Sequence, residues 1–282
     1  PGFVMSLYAL YETTGGGREA VEWGQPGGDA HAARRLTLPE SLAPGYHRLA
    51  IHDGGREGAA TQLIVAPERC HHPEAIRDGG RVWGPTLQLY SVRSERNWGI
   101  GDFSDLRRVV EQWGGRGAGI VGLNPLHALY PHNPAHASPY TPSSRLFLNP
   151  TYLDVEAVED FRECAEAREL VRSADFATRL AGLRETELVD YPGVAAAKRT
   201  VLELLYASFR TRHLDAAEET TRAAAFRAFQ ARGGEPLRRH ALFDALQERF
   251  SRADPHCWGW PVWPEAYRHP ALPAVQAYAA EA

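Results

Sequence analysis

The sequence predicts an α/β protein built from three consecutive parts: a β-rich opening, a strand–helix–strand unit with parallel strands, and a long helical stretch. Three observations predict it. Short apolar runs punctuated by glycine- and proline-rich turns fill residues 1–67. Two apolar runs, around Leu87 and Ile120, flank one amphipathic helical stretch. From about Asp160 onward, apolar residues recur at helical spacing and strand-like alternation stops.

In chain order, Phe3–Tyr11, Arg34–Leu38, Tyr46–His52 and Thr61–Val65 are the strand candidates of the opening part. Gly15-Gly16-Gly17, Pro26-Gly27-Gly28, Pro44-Gly45 and Asp53-Gly54-Gly55 are its turns. Short strands at this spacing predict part of a β-sandwich over residues 1–67. Residues 68–82 read as a linker. Trp83–Arg93 is predicted as a strand, and Asp102, after Asn97-Trp98-Gly99-Ile100-Gly101, as the N-cap of the following helix. Leu106, Val109, Val110 and Trp113 fall on one face of that helix, and Gly114, Gly115 and Gly117 end it. Ile120-Val121-Gly122-Leu123 has the length and composition of a buried parallel strand, and Asn124-Pro125 stops it. Phe147–Val155 is a third strand candidate. In the tail, Val194–Arg212 carries Val201, Leu202, Leu205 and Phe209 on one face, and Glu218–Arg232 and Glu235–Phe250 follow as helices. Residues 83–159 are thus the strand-bearing part and 160–282 a helical insertion.

Composition narrows the function classes. The 282 residues are 44% hydrophobic and 23% charged with a net charge of −4, which gives no electrostatic footprint for nucleic acid or an anionic membrane. No apolar run reaches the eighteen or so residues of a membrane span. Cys70, Cys164 and Cys257 are an odd, scattered set, as expected of reduced thiols in a cytoplasmic protein. Cys70-His71-His72 lacks a second cluster at zinc spacing, and Gly99-Ile100-Gly101 is too short for a dinucleotide fingerprint, so neither a metal nor a nucleotide cofactor is expected. The chain starts at Pro1 and ends in Ala-rich, uncapped helical sequence, so it is expected to be a fragment.

The loop from Asn124 to Asn149 is the candidate site. Prolines at 131, 134, 139 and 142 stiffen it, which would hold Ser138, Tyr140 and Ser143 ready for a ligand. A tyrosine face and hydroxyls suit a sugar ring. Asn124 and His127, at the end of the second strand, suit a hydroxyl contact or a supporting role behind it. Trp258, Trp260 and Trp263 in WGWPVWPE are either an aromatic platform for glucan or packing anchors, the latter preferred. Asp102, Asp154 and Glu156 are the carboxylates weighed for catalysis. An N-cap explains Asp102 better, and a solvated edge explains Asp154 and Glu156.

GLNPLHALYPHNPAHASPYTPSSRLFLNPTYLDVEAVEDF resembles the corresponding segment of the bacterial amylomaltases, the 4-α-glucanotransferases of maltodextrin metabolism. The resemblance extends upstream through WGPTLQLYSVRSERNWGIGDFSDL and downstream to WGWPVWPEAY, covering about residues 60–282. It implies that residues 83–159 open an incomplete TIM (β/α)8 barrel and that residues 160–282 interrupt it. It implies retaining transfer of an α-1,4-glucan segment to the 4-hydroxyl of another glucan, with maltooligosaccharides as partners and no cofactor. Ser138-Pro139-Tyr140 matches the Ser-Pro-Tyr that lines the donor side of that active site. The family's catalytic carboxylates have no matching motif here and are expected beyond Ala282. The second hypothesis is a non-catalytic α-glucan-binding module using the Ser138–Ser144 loop. The third is a free-standing glycosidase using Asp102 with Asp154 or Glu156, which requires a closed site from a partial barrel.

Overall fold

The computed structural model describes residues 7–12, 18–22, 38, 42–53 and 56–281. The chain divides into two compact units, Pro1–Arg81 and Val82–Ala282.

The first unit carries one antiparallel sheet: β1 (Leu7–Glu12), β2 (Arg18–Glu22), β3 (Gly45–Asp53) and β4 (Arg56–Val65), in the order β2-β1-β3-β4. Its strands correspond to three of the four expected, and β4 runs five residues further toward the N-terminus than Thr61. The alternation of β3 places His47 inside, 4% exposed, with Nε2 2.9 Å from the Ala43 carbonyl, while Tyr46 stands 62% exposed. β2 is an addition to the sequence reading. Arg34–Leu38 lies outside the described residues except for Leu38.

The second unit opens with β5 (Thr86–Leu87), which pairs in parallel with β6 (Gly122–Leu123): Thr86 faces Gly122 and Leu87 faces Leu123. The parallel arrangement agrees with the strand–helix–strand pattern, but both strands are much shorter than Trp83–Arg93 and Ile120–Leu123. Leu89–Ser91 already turns as a 3-10 helix, and Ile120 is 56% exposed. The reason is local. Ser91 N and Val92 N donate to the carbonyls of Gln88 and Leu89, so these residues satisfy their backbone within the turn instead of with a neighbouring strand.

Between the strands, α1 (Phe103–Gly114) begins as expected. The Asp102 carboxylate accepts from Ser104 N and Asp105 N, both at 2.9 Å, and Asp105 accepts from Asp102 N at 3.1 Å, a reciprocal capping box. Val110 proves half-exposed, so the buried stripe of α1 is centred nearer Asp105 and Val109 than predicted.

The third strand candidate is corrected. β7 (His127–Ala128) pairs antiparallel with β8 (Ser144–Leu148), forming a long-looped hairpin, and pairing stops at Leu148. Residues 150–162 then run as three 3-10 turns, the first with Pro150 at its start.

The helical part comprises α2 (Ala165–Arg172), α3 (Ala174–Glu185), α4 (Tyr191–Phe209), α5 (Thr221–Ala253) and α6 (Pro273–Glu281). The two helices expected over 218–250 are one α5 with a sharp break at Gly234 (φ 52°, ψ −146°), a conformation open to glycine alone, followed by Pro236. One core joins Leu89, Trp98 and Ile100 to Phe176, Leu183, Val194, Val201 and Leu205; a second gathers Leu242, Leu246, Trp263 and Val275.

α5 also reaches β8. His240 stacks on Phe147 with ring centroids 4.5 Å apart, and Asp244, one turn on, lies 3.6 Å from His240 Nε2. Burial, then the nearby Glu248 carboxylate, raises Asp244 to about 7. Its folded pKa lies above the unfolded value, so the native state holds an extra proton between about pH 4 and 7. That contribution is full below pH 4 and lost as pH rises through 7. Asp244→Asn, which keeps the shape without titrating, should raise the Tm at pH 8 by about 4–8 °C, or about 2 kcal/mol, and leave it unchanged near pH 4. Thermal melts at the two pH values check this; equal shifts at both would contradict it.

Candidate functional site

The carboxyl end of the β5–β6 pair is where the polar side chains converge. Asn124, the first residue after β6, is 7% exposed, and its amide is fully engaged. Oδ1 accepts from Leu89 N (2.7 Å), while Nδ2 donates to the Pro125 carbonyl (2.8 Å) and to the Tyr152 hydroxyl (3.1 Å). It ties the turn after β5 to the loop after β6. Burial raises Tyr152, partly offset by that bond.

The turn after β5 is held by Asn97, which is fully buried and donates to the Val92 carbonyl (3.1 Å) and to Asp105 (2.8 Å). Gly99 follows at φ 85°, where a Cβ would stand 2.6 Å from the Leu183 carbonyl oxygen; α3 leaves room for glycine only. Arg96 is the hub. Its guanidinium donates to Asp102 (3.0 Å) and to Asp154, and lies 3.8 Å from Asp105. The Ser104 hydroxyl also donates to Asp154, at 2.6 Å. Asp154 is therefore not the solvated edge expected of it: its side chain is 11% exposed and joins the 3-10 segment to the turn after β5. Asp102 is held above the ordinary carboxylate range mainly by burial, against the pull of its capping bonds and Arg96. Glu156 is exposed and accepts from Trp98 Nε1 at 3.2 Å.

Beside this network lies a cavity of about 700 Å³. Leu129–His132, Pro134 and His136 of the hairpin loop and Asn149–Thr151 wall one side; α4, from Tyr191 to Tyr206, walls the other. Lys198 lies on its α4 side, and burial lowers it to about 8. Burial raises Tyr191 to about 12 and lowers His132.

Of the sequence-derived site residues, Ser138 and Tyr140 stand on the hairpin loop, both exposed, Tyr140 by 69%. The turn around them is closed by Thr141 N on the Ser138 carbonyl (3.3 Å) and by His136 Nε2 against Thr141 Oγ1 (2.9 Å). Ser143 is taken up by the loop itself, its hydroxyl donating to the Leu129 carbonyl at 2.7 Å. His127 sits half-buried in β7 opposite Leu148. None of Asn124, His127, Ser138 and Tyr140 lines the cavity. Trp263 is a packing anchor, 3% exposed, donating to Gln247 Oε1 at 3.1 Å, whereas Trp258 and Trp260 stand 66% and 55% exposed. Cys70 is exposed, and among the described residues no group of three or more His, Cys, Asp or Glu is placed to hold a metal ion.

Sequence reasoning missed Arg96 and Lys198. Lys198 had a readable signal: it interrupts the apolar stripe Val194–Val201–Leu205 of α4, where a charge needs a buried partner.

Comparison with known proteins gives consistent results. A sequence model described as 4-alpha-glucanotransferase matches residues 87–282, and one described as the MalQ N-terminal beta sandwich domain matches residues 9–67. A 4-alpha-glucanotransferase of Haemophilus influenzae is 38% identical over 83% of this chain and 33% of its own length. One from Mycobacterium tuberculosis is 35% identical over 85% of the chain and 32% of its own length. The chain thus spans about a third of these curated relatives. The crystal structure of amylomaltase from Corynebacterium glutamicum superposes with a TM-score of 0.72 at 25% identity, covering 98% of this chain and 38% of that one.

Proposed function

Because the chain belongs to the 4-alpha-glucanotransferase family, we propose that it is part of an enzyme that transfers α-1,4-glucan segments to the 4-hydroxyl of another glucan or glucose. The match across residues 87–282 carries this reading. In it, β5 and β6 open a TIM (β/α)8 barrel, residues 160–282 are a helical insertion, residues 1–67 are a sandwich module and 68–82 a linker. The parallel pairing of β5 with β6, with the candidate loop at its carboxyl end, supports that assignment.

Ser138 and Tyr140 contact the donor sugar, and their exposure on a proline-rich loop supports it. His127 reaches a sugar hydroxyl or backs the loop. Asn124, whose amide is consumed within the chain, acts from behind by fixing where the loop departs. Retaining transfer needs a nucleophilic carboxylate and an acid/base carboxylate about 5–5.5 Å apart across the scissile bond. Asp102 is spent on the α1 cap and Arg96, Asp154 on Arg96 and Ser104, and Glu156 on Trp98. In this reading the pair comes from the part of the enzyme outside this chain, which spans about a third of its curated relatives, and the 282 residues supply scaffold and half of a sugar site. A cytoplasmic location belongs to the same proposal, supported by free cysteines at 70, 164 and 257; none of the described helices is long and apolar enough to cross a membrane.

The test is disproportionation of maltotriose. The full-length protein containing this chain should release glucose and longer maltodextrins, and the 282-residue chain should release none. Turnover by the short chain would place the carboxylates inside it, and no turnover by the long one would overturn the transferase reading.

A further inference from the structure

Lys198 is a buried ionisable group to which this reading assigns no task. It lies on the apolar face of α4, 3% exposed, with Val194 and Val201 fully buried on either side. An ammonium ion in such a place is costly unless its hydrogen-bonding capacity is used. Its Nζ donates to the carbonyls of Thr151 and Leu153, both at 2.6 Å, the short distance of charge-assisted bonds. Those carbonyls belong to the 3-10 turn Pro150–Tyr152 and the residue after it. Asn149 shapes that turn from the other end, its Oδ1 accepting from Thr151 N (3.0 Å) and Thr151 Oγ1 (2.8 Å). Asn149, Pro150 and Thr151 form part of one wall of the cavity and α4 forms the facing wall, so the ammonium bridges the two. Immediately beyond Leu153, Asp154 holds Arg96.

We propose that Lys198 is a positioning residue for the glucan site: its ammonium clamps the Thr151–Leu153 corner to α4 and so sets the spacing between the cavity walls, one of which includes Leu129–His132, Pro134 and His136, the base of the hairpin loop that carries Ser138 and Tyr140. The inference rests on the transferase reading for its ligand, and on the geometry alone for the clamp. The charges around the ammonium are Asp102, Asp105 and Asp154, which hold its proton, and Arg96, which opposes it. Tyr191, Arg199 and Glu203 of α4 and His132 of the hairpin loop line the same cavity.

Burial, outweighing the attraction of Asp102, Asp154 and Asp105, brings Lys198 from 10.5 down to about 8. Between pH 8 and 10.5 the unfolded chain therefore keeps a proton that the folded chain has released. Stability from this group rises across that window, while the clamp weakens from charge-assisted to ordinary hydrogen bonds. A side chain that only filled space would weaken nothing there.

The test compares the full-length protein with its Lys198→Arg and Lys198→Met variants, following maltotriose disproportionation from pH 6 to 10 and hydrogen exchange of amides 149–155. The wild-type KM should rise about five- to tenfold between pH 7 and 9.5, with kcat changing less. Lys198→Arg, charged throughout, should remove that rise. Lys198→Met should show a KM about tenfold higher already at pH 7, flat with pH, and faster exchange at 149–155. One KM–pH curve shared by all three proteins would overturn the positioning role and leave the transferase reading intact. If the wild type turned over no maltotriose, the transferase reading would fall, and exchange would still decide the clamp: unchanged protection at 149–155 in Lys198→Met overturns it. Should Lys198→Met not fold, the Lys198→Arg curve decides alone.

Discussion

Arg96→Met should lower the stability of the Val82–Ala282 unit by about 3–5 kcal/mol at pH 7, the largest loss expected from any single change in the network. The side chains of Asp102 and Asp105 are 3% exposed and that of Asp154 is 11% exposed. With the guanidinium gone, three carboxylates sit together in a region of low dielectric with no cation touching them. Lys198 approaches them, but its bonds go to backbone carbonyls. Arg96→Lys should recover only part of the loss, because one point charge cannot bridge carboxylates on both sides as the planar fork does. The penalty should shrink as pH falls, since burial holds Asp102 above the ordinary carboxylate range and its protonation removes part of the repulsion. Urea denaturation at pH 7 and pH 4 measures both quantities. A loss below about 1 kcal/mol at pH 7 would mean the cluster is hydrated and the hub is not one.

Tyr140→Ala should leave folding alone and remove most of the transfer. The ring is 69% exposed and buries little in the folded chain, so stability should change by no more than about 0.5 kcal/mol. If it packs on the sugar beside the scissile bond, its loss misplaces the reacting carbon, and kcat/KM for maltotriose in the full-length protein should fall about 100-fold. Tyr140→Phe, which keeps the face and loses the hydroxyl, should retain activity within about tenfold. An alanine variant that is fully active would move the donor contact elsewhere on the loop. An alanine variant that is inactive and unstable would make Tyr140 a structural residue.

The candidate site was legible to different depths. Ser138-Pro139-Tyr140 stands out in sequence because prolines on a loop after a strand advertise a stiff, exposed segment, and the structure places it on such a loop. Asn124 stands directly after β6, as the Asn124-Pro125 stop signal predicts, but its engagement with Leu89, Pro125 and Tyr152 depends on contacts up to 35 residues away. Arg96 meets Asp154 across 58 residues and Lys198 meets Thr151 across 47. Nothing in the local pattern of Arg93-Ser94-Glu95-Arg96 separates a hub from a surface charge. The length of the strands was hidden for a related reason. Leu89-Tyr90-Ser91 has strand composition, yet it turns because its backbone bonds close within the turn and Asn124 takes Leu89 N.

By itself the sequence determined the helix cap at Asp102, the parallel pairing that a strand–helix–strand run imposes, the break of α5 at Gly234 and the family to which residues 87–282 are matched. These follow from short-range terms: a side chain bonding a backbone amide three residues on, the reach of a connecting helix, a dihedral open only to glycine. Tertiary structure alone decided that Ser144–Leu148 folds back on His127–Ala128, that Asp154 is buried against Arg96, and that Lys198 ties α4 to the Thr151–Leu153 corner. Each of these is a polar group choosing among distant partners once water is excluded, and that choice is set by which segments the apolar core brings together.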